Sequence, residues 1–310
     1  MHPSLRAFLT HVIDYAGLFP PASLPLEPAI RNHAAYQQHA DAWMLGRFIC
    51  PAAQLAALAP FKELFTEARP LTISALGPKS PVDFSAELQA TLTQIEAFHR
   101  QWGAYGKVEA LELTLPAAHA TPETLAGAQA ALNFPANVFY ELPFDEHWLT
   151  HLPNFLEALA AHKTSVGFKL RTGGVAASAF PSTAQVAAAI TECRARGLAL
   201  KCTAGLHHPL RHFNESVQTK MHGFINVFGA GLLAHAHQLS LSGVQTILED
   251  EAASDFEFTD AGFSWCGLSV SVEDIAHLRQ TALLSFGSCS FDEPREDLQN
   301  LGWLNLHRET

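Results

Sequence analysis

Residues 166–203 read VGFKLRTGGVAASAFPSTAQVAAAITECRARGLALKCT. Two short apolar runs, 166–172 and 198–203, enclose a helical pattern that begins at Ser182 and ends at Arg196. A strand, a helix and a second strand in this order form a βα unit, whose two strands pair in parallel. This stretch therefore predicts an α/β protein built on a parallel sheet.

The same alternation of apolar runs and helical patterns extends along most of the chain. Eight predicted strands follow it: 43–50, 71–76, 108–115, 137–142, 166–172, 198–203, 223–228 and 282–288. Before the last strand, residues 256–270 predict a hairpin insertion that turns at Asp260-Ala261-Gly262. Eight parallel strands separated by helices are what a (βα)₈ TIM barrel requires. No GxGxxG motif follows the first predicted strand, which argues against an open doubly wound sheet.

Residues 1–42 precede this alternation, and Pro3–Asp14 and Glu27–His39 in this segment have helical patterns joined by a proline-rich stretch. The segment is therefore predicted to be an N-terminal helical extension that packs on the barrel, as a lid or a plug. The barrel itself is predicted to span 43–310, and the whole chain is read as one domain. If the segment is a lid, Asp14 comes within reach of the barrel mouth.

Composition excludes several classes of function. The chain of 310 residues is 48% apolar, and its net charge of −11 opposes binding to nucleic acid or to an anionic membrane surface. No stretch approaches the roughly 20 apolar residues of a membrane span, and the first residues lack the pattern of a secretory signal. The five cysteines are widely spaced without a CxxC pair, which favours reduced, buried thiols over disulfides. A cytoplasmic protein is expected, and the sequence leaves a homo-oligomer open.

Polar and ionisable residues occur within strands that should be apolar. Most of them fall in the carboxyl-terminal half of a predicted strand, and they are Arg47, Glu112, Thr114, Glu141, Lys169, Arg171, Lys201, Thr203 and Asn226. Barrel enzymes place their active sites at this end of the strands, and buried charges are costly unless they are paired or bind a ligand. The set therefore predicts a functional site, with an internal layer of salt bridges as the competing interpretation.

Lys169 and Lys201 are the most informative members of this set, because they lie on consecutive predicted strands. Adjacent strands are about 4.8 Å apart, so both ammonium groups can reach one small volume. Two nearby cations lower each other's pKa, and a neutral lysine can attack a carbonyl to form a Schiff base. Glu112 or Glu141 could then move protons.

The runs that contain these lysines, Lys169-Leu170-Arg171-Thr172-Gly173 and Lys201-Cys202-Thr203-Ala204-Gly205, resemble those of class I aldolases of the deoxyribose-phosphate aldolase type. Those enzymes are (βα)₈ barrels with one Schiff-base lysine and a second lysine on the next strand, expected on strands six and seven. By order, the resemblance implies that Lys169 forms the Schiff base and that Lys201 is its partner. The chain departs from it in having Arg171, in lacking serine from both runs and in placing the pair on predicted strands five and six. The resemblance covers about a tenth of the chain.

Two further features suggest ligand contacts. His207-His208 follows the sixth predicted strand, and either histidine could join Glu112 and Glu141 in a divalent-metal site. Gly229-Ala230-Gly231 and Gly287-Ser288 follow the last two predicted strands, where barrels often hold a substrate phosphate. The candidate substrate-binding residues are Asp14, Arg47, Arg171, Thr172, Gly173, Gly174, Thr203, His207, His208, Asn226, Gly229, Gly231 and Ser288.

The leading hypothesis is a lyase or aldolase that acts on a small anionic, phosphorylated carbonyl compound, with Lys169, Lys201, Glu112 and Glu141 as the catalytic residues and without a cofactor. The first alternative is a divalent-metal enzyme of enolisation or hydrolysis, with Glu112, Glu141 and His207 as ligands and His208 as the substitute for His207. Phosphoribosyl transfer is a second alternative in the same fold. A barrel that binds a ligand without turnover is the third.

Overall fold

The computed structural model describes residues 1–78, 83–132, 134, 137–162 and 166–304. The strands in chain order are β1 Ile13–Tyr15, β2 Leu45–Pro51, β3 Leu71–Leu76, β4 Gly106–Thr114, β5 Asn137–Glu141, β6 Val166–Arg171, β7 Ala199–Thr203, β8 His212–Asn214, β9 Thr219–Met221, β10 Phe256–Phe258, β11 Gly262–Trp265, β12 Leu268–Ser271 and β13 Leu283–Ser288. The α-helices are α1 Pro3–Leu9, α2 Leu26–Tyr36, α3 Phe84–Trp102, α4 Pro122–Ala131, α5 Trp148–Ala160, α6 Thr183–Arg196, α7 Phe224–His237, α8 Leu241–Glu249, α9 Val272–Thr281 and α10 Asp292–Asn300. Short 3₁₀ helices cover Ala42–Met44, Ala52–Leu64, Gly103–Tyr105, Ala117–His119, Ala177–Ala179 and Ala253–Asp255.

Eight parallel strands close into a barrel in the order β1, β2, β3, β4, β5, β6, β7 and β13, with β13 returning to β1. The α/β fold predicted from the sequence, a (βα)₈ TIM barrel, is therefore confirmed. The hairpin insertion before the last strand is also present, as an antiparallel sheet in which β11 lies between β10 and β12. In the part of the chain that the structure describes, no helix is long and apolar enough to cross a membrane.

The predicted seventh strand, 223–228, is wrong, because these residues form the first half of helix α7. Every residue from Phe224 to Ala234 is buried, since α7 packs against α6, α8, β12 and β13. A helix that is apolar on all sides gives a short apolar run that periodicity cannot distinguish from a buried strand.

The barrel strand that the sequence analysis missed is β1, the first along the chain. It lies in the N-terminal segment predicted to be a helical extension. The helix that begins at Pro3 ends at Leu9, and Ile13–Tyr15 pairs in parallel with both β13 and β2. The segment predicted as an extension therefore contributes at least the strand Ile13–Tyr15 to the barrel. The barrel boundary predicted at residue 43 is wrong for the same reason.

Candidate active site at the barrel mouth

A cavity of about 360 Å³ opens at the carboxyl ends of the barrel strands. Its wall is formed by the last residues of successive strands and by the segment that follows β1, namely Ala16, Phe19, Pro20, Ile49, Leu76, Glu112, Thr114, Glu141, Lys169, Arg171, Gly174, Val175, Thr203, Ala204, His207, Gly287 and Cys289. Ligand cavities start at about 300 Å³, so this one suits a small molecule.

A row of alternating charges lies inside the barrel, partly at the floor of the cavity and partly beneath it. Strand register places Lys169 on β6 directly beside Lys201 on β7 and beside Glu141 on β5. Lys169 Nζ lies 2.9 Å from Oε2 of Glu112 and 2.9 Å from Oε2 of Glu141. Lys201 Nζ forms an ion pair with Asp14 and lies 3.4 Å from Oε1 of Glu112. Three carboxylates thus alternate with two ammonium groups, and we call these five residues the charge row.

Hydrogen bonds from neighbouring strands fix two carboxylates of the charge row, Glu112 and Asp14. Ser74 on β3 donates to Glu112 Oε1 at 2.6 Å. Ser285 on β13 donates to Asp14 Oδ2 at 2.7 Å, and the backbone N–H of Arg47 donates to Asp14 Oδ1 at 2.7 Å. These bonds stabilise ionised carboxylates without a further charge. Neither serine was identified from the sequence, although Ser74 and Ser285 are polar residues in the middle of otherwise apolar runs.

Charge–charge interactions within the charge row determine the pKa values of Lys169, Glu112 and Asp14. Burial alone would lower the pKa of Lys169, but Glu112 and Glu141 outweigh burial and raise it above its ordinary value. Burial likewise opposes ionisation of Glu112, yet Lys169 and Lys201 hold its pKa at about 2. The pKa of Asp14 is lowered against burial by Lys201 and Arg47. The expectation that the paired lysines lower each other's pKa is therefore wrong for Lys169, because carboxylates lie between the cations.

The two lysines differ in their access to the cavity. Lys169 is 7% exposed and lines the cavity, whereas Lys201 is 0% exposed and lies beneath it, enclosed by Asp14, Glu112 and Ser285. A molecule in the cavity can touch Lys169 but not Lys201. Lys201 can act on such a molecule only through Glu112 and Lys169, as a positioning residue.

Several other residues predicted from the sequence line the cavity or its rim. Arg171, Gly174, Thr203 and His207 border the cavity. No carboxylate of the described residues forms an ion pair with Arg171, which ends β6 and is exposed at the rim. Arg171 is therefore a cation available to an anionic ligand.

Three predicted residues support the loops behind the wall instead of lining the cavity. The hydroxyl of Thr172 donates to the carbonyl of Thr203 at 3.1 Å and also to that of Ala204. A Cβ at Gly173 would lie 2.8 Å from Gly205 Cα, so the loops after β6 and β7 touch at these glycines. Ser288 is buried, and its carbonyl accepts from Ala16 N–H at 2.6 Å.

Three predicted ligand contacts lie inside helix α7 and do not reach the mouth. A Cβ at Gly229 would lie 2.7 Å from the ring of Phe263, and one at Gly231 would lie 2.7 Å from Leu283. Both glycines therefore allow close packing of the helix, and they do not form a phosphate-binding turn. The prediction failed because it rested on a strand at 223–228.

Asn226 in the same helix is a structural residue. Its Oδ1 accepts from Arg211 N–H at 2.8 Å, and its Nδ2 donates to the carbonyls of Ile247 at 2.9 Å and Asp250 at 2.8 Å. Replacing Asn226 by Ala is expected to lower the free energy of unfolding by about 2–3 kcal/mol, because buried backbone groups lose their partners. Urea unfolding measures the change. An Asn300→Ala variant at the end of α10 serves as the control, and equal effects of the two changes would contradict the assignment.

Arg47 and His208 also lie outside the cavity. The side chain of Arg47 points to the opposite end of the barrel, where its Nε lies 3.2 Å from Glu109 and it lines a separate pocket with Arg69 and Thr72. His208 Nδ1 lies 2.5 Å from Asp297 Oδ2, so this histidine connects the loop after β7 to helix α10. Arg47 was misplaced because it lies in the first half of β2, whose carboxyl end is at Pro51.

The metal ligands considered from the sequence do not converge. Glu112 and Glu141 hold the ammonium of Lys169 between them, and His207 Nδ1 lies instead 3.1 Å from Glu293. Within the described ranges, one group of ligand atoms comes close enough together for an ion, namely Asp250, Asp255 and Cys266. Asp250 in that group already accepts from Trp265 Nε1 at 2.7 Å.

The closed barrel and the side chains at its mouth assign the chain to one class of protein, (βα)₈ barrels that have two neighbouring lysines inside the barrel. No known protein-family profile matches the sequence. No curated protein matches it either.

Proposed function

We propose that the protein is a lyase of the aldolase type, which forms a Schiff base between Lys169 and a small anionic carbonyl compound. The observation that carries the proposal is the position of Lys169, since its amine lies at the floor of a small-molecule cavity between two carboxylates. Barrel enzymes build their active sites at this end of the strands. No cofactor is required for this chemistry.

The count of barrel strands supports the resemblance to class I aldolases more than the sequence alone did. Because Ile13–Tyr15 is the first barrel strand, Lys169 lies on the sixth strand along the chain and Lys201 on the seventh. Those are the strands that the resemblance requires. The mismatch of one strand arose from the missed β1.

The reaction begins with removal of a proton from Lys169, because its raised pKa keeps the amine charged while the cavity is empty. Glu141 is the acceptor that the contacts favour: it lines the cavity, and Lys169 is its ion-pair partner. Glu112 is the weaker base, since Ser74 and Lys201 also bind it. The neutral amine then attacks the carbonyl carbon to form a carbinolamine. Glu141 returns its proton to the carbinolamine hydroxyl, which leaves as water, so that the protonated Schiff base forms and Glu141 is again a carboxylate.

The Schiff base serves as an electron sink for cleavage of the carbon–carbon bond. Glu141 can remove the proton from the hydroxyl of the departing fragment, and the bonding electrons move into the iminium to give an enamine. Protonation of the enamine and hydrolysis return Lys169. Arg171 at the rim and His207 in the wall are the cations that bind the anionic group of the substrate.

Trapping with borohydride tests this proposal. The protein is incubated with a phosphorylated hydroxyaldehyde, a 2-oxo acid or a neutral aldehyde, the adduct is reduced, and the modified peptide is mapped. We expect one adduct on Lys169, formed with an anionic compound more readily than with the neutral aldehyde. Comparing the two anions decides whether the anionic group is a phosphate or a carboxylate.

The Lys169→Ala variant is expected to lose the adduct completely, because the only cavity-lining lysine among the described residues is gone. Lys220→Ala is the matched control, since Lys220 is exposed and pairs with Glu251 on the surface. Trapping that persists in Lys169→Ala would refute the proposal, whereas an adduct on Lys169 in Lys201→Ala is consistent with it, because Lys201 does not line the cavity. Ligand binding without any adduct would favour the barrel that binds without turnover.

The metal-dependent and phosphoribosyl-transfer alternatives remain predictions from the sequence. Elemental analysis of untagged protein purified without chelator tests the first. A stoichiometric transition metal would favour the metal enzyme and would make His207 and His208 the next residues to replace. Product analysis with phosphoribosyl pyrophosphate tests the second.

A further inference from the structure

A second reactive group lines the same cavity as Lys169. Cys289 directly follows β13, is 8% exposed and borders the cavity. Its Sγ lies 4.0 Å from Nδ1 of His207, which belongs to the loop after β7. The same Nδ1 lies 3.1 Å from Glu293 in the first turn of α10. A thiol, an imidazole and a carboxylate thus meet in one wall.

The imidazole of this cluster carries a positive charge near neutral pH. Burial lowers the pKa of His207, but Cys289 and Glu293 outweigh it and raise that pKa to about 9. An imidazolium next to a cysteine favours its thiolate form, which is the nucleophile in cysteine chemistry. Glu293 holds the ring in place on the side of α10, so the charge stays near the sulfur.

The other four cysteines differ from Cys289 in access or in charge. Cys50, Cys193 and Cys202 are buried and do not line the cavity, and burial raises the pKa of each thiol, to about 12 for Cys50 and Cys202. Cys266 is exposed, but slight burial and the carboxylates of Asp255 and Asp250 raise its pKa. Cys289 is the cysteine that combines access from a cavity with a neighbouring cation.

We propose that Cys289 is a covalent modification site, at which a cysteine thiolate attacks small electrophiles that enter the cavity. In the alkylation step the sulfur lone pair forms the new S–C bond, and the leaving group departs with the electrons of the bond that breaks. The proton of the thiol passes to the solvent, so the products are the thioether, the leaving group and a proton. The adduct occupies the cavity that Lys169 also lines. The modification itself does not depend on the proposed lyase reaction.

Iodoacetamide is the probe, because it is small, uncharged and releases iodide in this reaction. The folded protein is treated near neutral pH with less than one equivalent, samples are taken over time, and each cysteine-containing peptide is quantified by mass spectrometry. We expect Cys289 to react about tenfold faster than the exposed Cys266, since the imidazole of His207 lies 4.0 Å from its sulfur and stabilises negative charge there, whereas the carboxylates near Cys266 oppose it. In urea-denatured protein this preference should vanish.

The variant His207→Gln removes the cation and is expected to slow the labelling of Cys289 about tenfold without changing that of Cys266. His208→Gln is the matched control, because His208 pairs with Asp297 and not with the sulfur. Faster labelling of Cys266 than of Cys289 in the wild-type protein would overturn the proposal, and that comparison requires no variant. Equal effects of the two histidine substitutions on Cys289 would overturn the role of His207.

Discussion

Replacement of Lys201 by Met is expected to lower the free energy of unfolding by about 3–5 kcal/mol. Lys201 is fully buried, and it is the cation that pairs with Asp14, which is also fully buried. Methionine fills a similar volume but leaves Asp14 without a counter-ion and removes one of the two cations beside Glu112. The loss comes from the charges that remain, because breaking a buried pair costs more than the pair contributes.

Equilibrium unfolding in urea measures this change, and Lys107→Met is the matched control. Lys107 also forms an ion pair, at 2.7 Å from Glu109, but its side chain is 56% exposed. Exposed pairs contribute about 0–1 kcal/mol, so the control should remain close to the wild-type protein. If the two variants were equally stable, the burial of Lys201 would have no energetic consequence and the charge row would be wrong.

A double variant distinguishes the interaction between Asp14 and Lys201 from the loss of stability that any change in the core causes. Adding Asp14→Asn to Lys201→Met removes the unpaired carboxylate, so the double variant should be less destabilised than the sum of the two single changes. Additive effects would indicate that Asp14 and Lys201 do not interact. Because Lys169 and Glu112 stand between Glu141 and Lys201 in the charge row, Glu141→Gln combined with Lys201→Met is expected to be more nearly additive.

The register of the strands explains why the sequence predicted much of this site. Once β6 and β7 are adjacent parallel strands, Lys169 and Lys201 must lie side by side, and Glu141 must lie beside Lys169. Alternation along a strand then directs these side chains toward one face. The placement of Lys169, Lys201, Glu112 and Glu141 needs no more than these local rules.

The prediction failed where tertiary packing overrides local pattern. β1 has three residues with Asp14 at its centre, which is too short and too polar to read as a strand without its partners β13 and β2. Helix α7 gave the opposite error, since burial on every side removes the polar face that identifies a helix. Counting α7 as a strand restored the number to eight, so a correct fold was reached with one wrong element.

The role of Cys289 could not be read from sequence, because its meaning depends on two distant loops. Residues 207 and 293 are far apart in the chain and meet only when β7 and β13 become neighbours in the barrel. A lone cysteine among five gave no signal of its own.

Acid is expected to destabilise the protein steeply, and the charge row gives the pH range. The folded-state pKa of Glu112 is about 2, below its ordinary value of 4.5, and that of Asp14 is lowered in the same direction. A group with a lowered folded-state pKa stabilises the protein above its unfolded-state pKa, and this contribution is lost as the pH falls through the folded-state value. Stability should therefore fall between about pH 4.5 and about pH 2, where protonation leaves Lys169 and Lys201 buried without their carboxylates.

Two groups with raised pKa values do not account for a loss in this range, whereas burial lowers the pKa of His33 to about 3 and that of His222 to about 4, so both histidines add a loss that begins below about pH 6.5 and is common to all variants. The raised pKa values of Lys169 and His207 give stability that is fully present in acid and is lost only as the pH rises. Urea midpoints measured from pH 7 to acid should thus decrease less steeply in a Glu112→Gln variant, which has no such carboxylate to protonate and is less stable at neutral pH. A carboxylate whose pKa falls from 4.5 to about 2 on folding contributes on the order of 3 kcal/mol, which Glu112→Gln removes.

Glu27→Gln is the control for the acid measurement, because Glu27 pairs with Arg31 on an exposed helix surface at 2.9 Å. Its removal should leave the acid slope unchanged, since surface pairs are screened by solvent. An unchanged slope in Glu112→Gln would mean that Glu112 is not held ionised by the lysines. The lysines would then lack the carboxylate that joins them, and Lys201 could no longer position Lys169 through Glu112.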